Sequence, residues 1–263
     1  MQPLEDLMSQ PLKVAFLWHM HQPYYRDILT GECILPWARL HGLKNYFDIP
    51  SIASEFPAIK QTFNLVPSLI KQIEEYAHRG DTDHFLLMSE KPAALLTSEE
   101  RSFVLQHFFQ ANADTMIKPF PRYRQLLEMR GLYGNLEDVS TALQRFKEQD
   151  ILDLQVWFNL TWCGHTLMAM PSVQALFQKG QGFTEVEKGE LLSTQREFLH
   201  QIVPLYRRLQ DCGQIEVSIS PFYHPILPLL CDTGEASVAM PDAHLPSPGF
   251  SHPDDARQQI ERS

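Results

Sequence analysis

The sequence lacks the features that would tie the protein to a membrane or to nucleic acid. No stretch of about 18 apolar residues occurs, which argues against a membrane-spanning helix. Residues 1–13 have no basic start followed by an apolar run, so no signal peptide is visible. Basic residues are few, 22 against 32 acidic ones, and the resulting net charge of −10 disfavours nucleic acid and anionic membranes as partners. We expect a soluble, cytoplasmic protein that binds neither.

Cysteine is also sparse, and none of the four cysteines forms a C-x-x-C pair. Their wide spacing predicts reduced, mostly buried thiols instead of a disulfide framework. Internal repeats and low-complexity tracts are absent as well. The 263 residues, 44% of them hydrophobic, are enough for one packed α/β barrel domain. We predict no cofactor.

Three segments are predicted to be strands of a parallel sheet. Residues 13–18 form a continuous apolar run, which is typical of a strand buried on both faces. Residues 59–65 form a second short strand, and residues 214–220 alternate cleanly, with Glu216 on the polar face. Helical spacing fills about 67–212. We therefore predict an α/β fold with a large helical insertion between the second and third strands.

The predicted strands are too few to close a barrel, which needs about eight. An open sheet leaves an edge exposed. Pro253 starts a predicted helix that reaches Ser263 with no glycine and no following strand. We expect residues 1–263 to be the N-terminal portion of a barrel domain, truncated at the C-terminus, with the missing C-terminal half as one expected partner.

The loop predicted after the first strand, from His19 to Tyr25, offers a candidate site. His19 and His21 are two residues apart, so in extended chain they face the same side. Three interpretations are open: metal ligands of a barrel hydrolase, an ordinary loop with a satisfied histidine, or a His21-Gln22-Pro23 segment that offers neutral hydrogen-bonding groups to sugar hydroxyls. No Asp or Glu lies adjacent to complete a metal site. We therefore predict sugar contacts and no bound metal.

Further candidates lie at the predicted mouth of the barrel. A carboxylate such as Glu216 is costly on an inward strand face unless it is paired or functional, the alternative being an exposed strand face. His224, in the following loop, is expected within reach of the same ligand. Asn64 ends the second strand with a polar group, and Trp37 lies in a predicted loop. Trp37 and Tyr24 offer aromatic faces that can stack on sugar rings.

Four runs of the sequence together carry a family resemblance. They are Leu17-Trp18-His19-Met20-His21-Gln22-Pro23-Tyr24-Tyr25, Leu35-Pro36-Trp37-Ala38-Arg39-Leu40-His41-Gly42-Leu43-Lys44-Asn45-Tyr46, Thr62-Phe63-Asn64-Leu65-Val66-Pro67-Ser68-Leu69, and Gly213-Gln214-Ile215-Glu216-Val217 with Ser220-Pro221-Phe222-Tyr223-His224-Pro225-Ile226-Leu227-Pro228-Leu229-Leu230. In this order they resemble family 57 of the glycoside hydrolases, from about Leu12 onward.

The resemblance implies an incomplete (β/α)7 barrel and retaining chemistry on α-glucans, most similar to the α-amylase and amylopullulanase branch. It implies that His21 and Glu216 lie beside the cleaved bond without being the nucleophile or the acid. The family's nucleophile is a glutamate in a Trp-Pro-Ser-Glu-like motif, and its acid is an aspartate in an Asp-Gly-Glu-like motif. Neither motif occurs in this sequence, although Leu245 to Gly249 resemble the first without its glutamate.

These observations predict an α-glucan hydrolase or 4-α-glucanotransferase by family, with an α-glucan or maltooligosaccharide as ligand. Retaining hydrolysis needs two carboxyl groups about 5–5.5 Å apart, so we expect no catalytic residue in this chain and no activity of the chain alone. Two alternatives are a non-catalytic carbohydrate-binding remnant and a metal-dependent barrel hydrolase that uses His19 and His21. The predicted substrate-binding residues are His21, Gln22, Trp37, Asn64, Glu216 and His224.

Overall fold

The computed structural model describes residues 12–131 and 136–263, and the fold is α/β. Residues 1–11, most of the segment in which no signal peptide is visible, lie outside the described residues. Three strands form one parallel sheet in chain order: β1 (Leu17–Met20), β2 (Gln61–Leu65) and β3 (Ile215–Ile219). The parallel sheet confirms the predicted α/β class, whereas closure into a barrel stays a prediction.

Helices make up most of the remaining chain. Between β1 and β2 lie α1 (Trp37–Gly42) and α2 (Asn45–Ser54). Between β2 and β3 lie α3 (Pro67–Glu74), a π-helical turn (Glu75–Arg79), α4 (His84–Glu90), α5 (Ser98–His107), α6 (Pro121–Arg130), α7 (Leu136–Arg145), α8 (Glu148–Thr161), α9 (His165–Met168), α10 (Pro171–Lys179), α11 (Glu185–Leu199) and α12 (Ile202–Asp211). After β3 lie α13 (Leu227–Cys231), α14 (Ala236–Ala239) and α15 (Pro253–Glu261).

The described part of the segment between β2 and β3 is thus helical, as predicted for about 67–212. Threonine capping boxes start two of its helices, at Thr97 and Thr184, because each hydroxyl accepts from a backbone N–H that the helix leaves unpaired. No helix in the described ranges has both the length and the apolar character needed to cross a bilayer.

The first strand corrects the sequence prediction. It begins at Leu17 and runs to Met20, so His19 is part of the strand and not of the loop after it. It is also not buried on both faces, since Leu17 is 64% exposed and Phe16, just before it, is 53% exposed. An apolar run predicts burial of a parallel strand only when helices cover both faces of the sheet. Within the described residues they cover one.

The two faces of the sheet differ in chemistry because side chains alternate along each strand. One face packs against the helices and contains Met20, Phe63 and Ile215, all buried. On the other face His19, Asn64 and Ser218 are aligned across the three strands. The alternation predicted for the third strand is therefore correct, and its polar side chains lie on the open face.

Helix α8 forms the centre of the helical layer. Its residues from Ile151 to Thr161 are all buried, as in a helix that is surrounded by protein. One of its buried polar groups, Asp153, accepts from the backbone N–H groups of Gly182 and Phe183 at 3.0 and 3.1 Å. Such satisfied pairs avoid the cost of isolated buried polar atoms.

The chain returns from this layer to the sheet through α12. The break between α11 and α12 falls at His200 and Gln201. Pro204 lies in the first turn of α12, where a missing N–H breaks no helical hydrogen bond. Gly213 then adopts a positive φ of 67° after the helix and leads into β3.

Candidate functional site

Three histidines meet at the carboxyl-terminal edge of the sheet. His19 lies in β1, His21 starts the loop after it, and His224 lies in the loop after β3. The ring centroids of His21 and His224 are 4.7 Å apart, and that of His19 is 4.8 Å from His224 and 5.6 Å from His21. One nitrogen from each ring lies within 4.8 Å of the other two. The parallel topology creates this cluster, because the carboxyl ends of parallel strands share one edge.

Asn64, on the central strand, connects the cluster to the sheet. Its Oδ1 lies 2.8 Å from Nδ1 of His19 and accepts from the hydroxyl of Ser220 at 2.9 Å. Its Nδ2 donates to the hydroxyl of Ser218 at 3.1 Å. Because an amide oxygen only accepts, this network assigns the proton to Nδ1 of His19. Nε2 of that ring is left with its lone pair free.

Helix α3 holds the loop after β1. The hydroxyl of Ser68 donates to the carbonyl of Gln22 at 3.0 Å. Gln72, one turn further along, donates to the carbonyl of Pro23 and accepts from the backbone N–H of Tyr25, both at 2.9 Å. Both helix side chains are buried. The loop backbone is therefore fixed by three hydrogen bonds to a packed helix.

Helix α15 holds the loop after β3. The backbone N–H groups of Phe222 and Tyr223 donate to Gln259, one to its carbonyl at 3.0 Å and one to its Oε1 at 2.8 Å. The guanidinium of Arg262 lies 4.4 Å from the ring centroid of Phe222. His224 has a φ of 56°, a region that histidine enters more readily than most residues. The anchored turn brings its ring against the other two histidines.

The environment of His21 favours the neutral form of its imidazole. Burial lowers the pKa of His21 below its usual value, because the charged form loses hydration. The nearby rings of His224 and His19 lower this pKa further, since a second positive charge would be repelled. Nε2 of His21 is buried and has no hydrogen-bond partner among the described residues.

The strands and loops that form this cluster lie in a part of the sequence that matches one enzyme family. A family model described as Glycosyl hydrolase family 57 matches residues 15–263, a range that contains all three strands and both loops of the site. The chain belongs to this family. Family 57 is a family of (β/α)7 barrels, and membership supports a glycoside hydrolase or transferase in general, with a carbohydrate substrate. Comparisons with curated proteins and with solved structures gave no match.

Two of the residues predicted to bind substrate have side chains that contact other parts of the protein. The side-chain amide of Gln22 donates to the hydroxyl of Tyr46 at 3.0 Å and accepts from that of Tyr25 at 2.6 Å, so it orders the loop itself. The ring of Trp37 lies 5.7 Å from that of Trp162, at the margin of the helical core. The described contacts of Trp37 are thus with the helical layer and not with the histidines.

Glu216 lies on the same face as the histidine of β1 but closer to the amino end of the strands. It is aligned with Thr62, whereas Ser218, two residues later, is aligned with Asn64. Glu216 is exposed. The desolvation cost that made this carboxylate a candidate in the sequence is therefore absent here, because only one face of the sheet is covered within the described residues.

Glu75, a buried carboxylate beside the loop after β1, is not predicted from the sequence. It lies in the π-helical turn that follows α3, and it accepts from the hydroxyl of Tyr24 at 3.4 Å. Lys71 Nζ lies 2.5 Å and Arg26 Nε 3.7 Å from its oxygens. Tyr24 in turn lies 5.5 Å, ring to ring, from Tyr223. A π turn often marks a functional site, but apolar spacing alone does not distinguish it from an α-helical turn.

Proposed function

We propose that this chain forms one wall of the substrate-binding site of a retaining α-glucan hydrolase or 4-α-glucanotransferase. The observation that carries the proposal is the polar face of the parallel sheet. It carries His19, Asn64 and Ser218 in register, with His21 and His224 at the carboxyl ends of the strands. Barrel enzymes bind their substrates at that end.

The chemistry of this wall suits a neutral, hydroxyl-rich ligand. A neutral imidazole offers one donor and one acceptor, and so does a sugar hydroxyl. The partly exposed rings of Tyr24 and Tyr223 border the histidines, and aromatic faces pack against the apolar faces of sugar rings. The residues that we propose to contact the substrate are His21, Asn64, Glu216 and His224. Gln22 contributes by ordering the loop after β1, and Trp37 contributes its ring at the margin of the helical layer.

We propose further that the nucleophile and the general acid come from polypeptide outside these residues. A retaining mechanism needs two carboxyl groups about 5–5.5 Å apart. The polar face of the three strands carries one carboxylate, Glu216, and the nearby Glu75 is engaged by Lys71 and Arg26. The remaining strands of a barrel would cover this face and bring the catalytic pair.

The test separates binding from turnover. Purified chain is incubated with soluble starch and its reducing ends are counted, and binding of maltoheptaose is measured by isothermal titration calorimetry. We expect binding without turnover, with binding reduced in His21→Ala and retained in the matched control His244→Ala, an exposed histidine outside the site. Starch turnover above the blank would refute the proposal that the catalytic carboxyl pair lies outside this chain. Absence of maltoheptaose binding by folded chain would refute the proposal that this face of the sheet binds sugar.

A non-catalytic carbohydrate-binding protein would give the same two results, so a further experiment is needed. The DNA downstream of Ser263 is sequenced, and an open frame there that encodes a Trp-Pro-Ser-Glu-like motif is expressed together with the chain. Starch turnover by the combined material supports the catalytic proposal. A stable, sugar-binding monomer that gains no activity supports the binding protein instead.

A further inference from the structure

We propose that His19, His21 and His224 form a binding site for one divalent transition-metal ion, with Zn²⁺ as the best fit. The ion would sit at the carboxyl-terminal edge of the sheet, between the loop after β1 and the loop after β3. The proposal does not depend on the α-glucan assignment, because it concerns the nitrogen donors of the cluster and not its sugar contacts.

The donor set is the first argument. Three imidazoles converge here, one from β1 and two from loops that are anchored separately, and one nitrogen of each lies within 4.8 Å of the others. In a tetrahedral zinc site with Zn–N distances of about 2.0–2.1 Å, ligand nitrogens are about 3.3 Å apart. The rings of His19 and His224 are exposed and can rotate, and a rotation that moves each nitrogen by about 1 Å reduces the observed separation to the ideal one.

The second argument is the orientation of His19. Metal-bound histidines almost always donate their other N–H to a carboxylate, a carbonyl or water, which fixes the tautomer and the ring. Asn64 supplies that acceptor at 2.8 Å from Nδ1. Its own amide is held by Ser218 and Ser220, so the acceptor cannot easily turn away. Nε2 of His19 is thereby presented with its lone pair free.

The third argument is an unpaired polar atom. Nε2 of His21 is buried without a hydrogen-bond partner among the described residues, although buried polar atoms normally have one. His21 lies against the rings of both other members of the cluster. A bound cation, or a water bound to it, would satisfy this nitrogen.

The coordination would be incomplete on one side. Three protein ligands leave the fourth tetrahedral position of zinc for water or substrate, which is the arrangement of catalytic and not of structural zinc sites. The histidine of β1 lies on the open face of the sheet, so this position faces solvent. A vicinal diol or a carboxylate of a ligand could displace the water there.

The experiment measures metal binding directly. Chain stripped with a chelator is titrated with Zn²⁺ by calorimetry, and with Co²⁺ while visible absorption is recorded. We expect one ion per chain and the d–d bands of a four-coordinate cobalt site. His224→Gly is the main variant, because glycine suits the positive φ at this position and preserves the turn while removing the ligand.

Loss of a residue that only hydrogen-bonds a metal ligand weakens metal binding by about 10- to 100-fold, and we expect this for Asn64→Leu. Loss of a ligand itself costs more, so we expect His224→Gly to weaken Zn²⁺ binding by more than about 100-fold. The control is His200→Ala. It removes a member of the other close histidine pair, His78 and His200, whose rings are 4.6 Å apart. One ion bound to the wild type and lost in His224→Gly supports the site. No binding by folded wild type, or equal binding by wild type and His224→Gly, overturns it.

Discussion

Replacing Asn64 by leucine tests how the candidate site is attached to the sheet. Asn64 is 9% exposed and makes three side-chain hydrogen bonds, to His19, Ser218 and Ser220. Leucine has the same branched shape and a larger side chain, so the substitution removes the bonds without opening a cavity. The expected loss of stability therefore comes from hydrogen bonding and not from packing.

The size of the loss in the free energy of unfolding depends on how well the remaining partners of Asn64 can bond to water. Three bonds at about 0.5–1.5 kcal/mol each give a gross loss of roughly 1.5–4.5 kcal/mol. His19 is exposed and the two serines are half-buried, so water can replace part of what they lose. We expect a net loss of about 1–2 kcal/mol in the free energy of unfolding. At about 2–4 °C per kcal/mol for a chain of this size, the melting temperature falls by about 2–8 °C.

Urea unfolding followed by circular dichroism measures this loss, with Ser220→Ala and the double variant completing a cycle. Ser220→Ala alone removes one bond and costs about 0.5–1.5 kcal/mol. In the background of Asn64→Leu the same change should cost almost nothing, because its partner is already gone. Full additivity of the two losses, or an unchanged midpoint for Asn64→Leu, would refute the network.

Two further predictions concern the rest of the chain. Ellman's reagent should label the exposed thiols of Cys212 and Cys231 in the folded protein and all four thiols only in urea. The reason is that burial shields the Cys163 thiol and raises its pKa to about 12. Rapid labelling of four thiols in native buffer would contradict this prediction. Asp83→Ala should lower the free energy of unfolding, measured in urea, by about 3–5 kcal/mol. The carboxylate of Asp83 lies 2.9 Å from Nε of Arg39, and its removal leaves this buried guanidinium without its charge partner. A loss below about 1 kcal/mol, the range of exposed pairs, would show that Arg39 finds another partner.

Local sequence patterns predicted much of the fold. The three strands, their parallel arrangement, the helical segment between β2 and β3, and the helix that begins at Pro253 are all observed. These features depend on short-range periodicity, helix caps and proline, all of which can be read within one element. The burial of β1 was predicted wrongly, because periodicity reports which side chains share a face and not whether anything covers that face.

The site was predicted in parts. His21, Asn64 and His224 were singled out, and the structure brings them and His19 to one edge of the sheet. The metal interpretation was set aside because no acid lies next to His19 and His21 in sequence. The third nitrogen comes instead from His224, on a distant loop. Spacing rules find ligands within one segment, whereas this cluster depends on how the sheet pairs its strands.

The anchoring of the loop after β3 makes the site depend on a short helix. Gln259 of α15 supplies both acceptors that hold Phe222 and Tyr223, so the position of His224 relies on a nine-residue helix. Short surface helices open locally at lower free energy than the core to which they are attached. On warming, amide protons of this loop should exchange before those of β2, and the third histidine would leave the cluster while the sheet is still folded. The protein would then lose its site before it loses its fold.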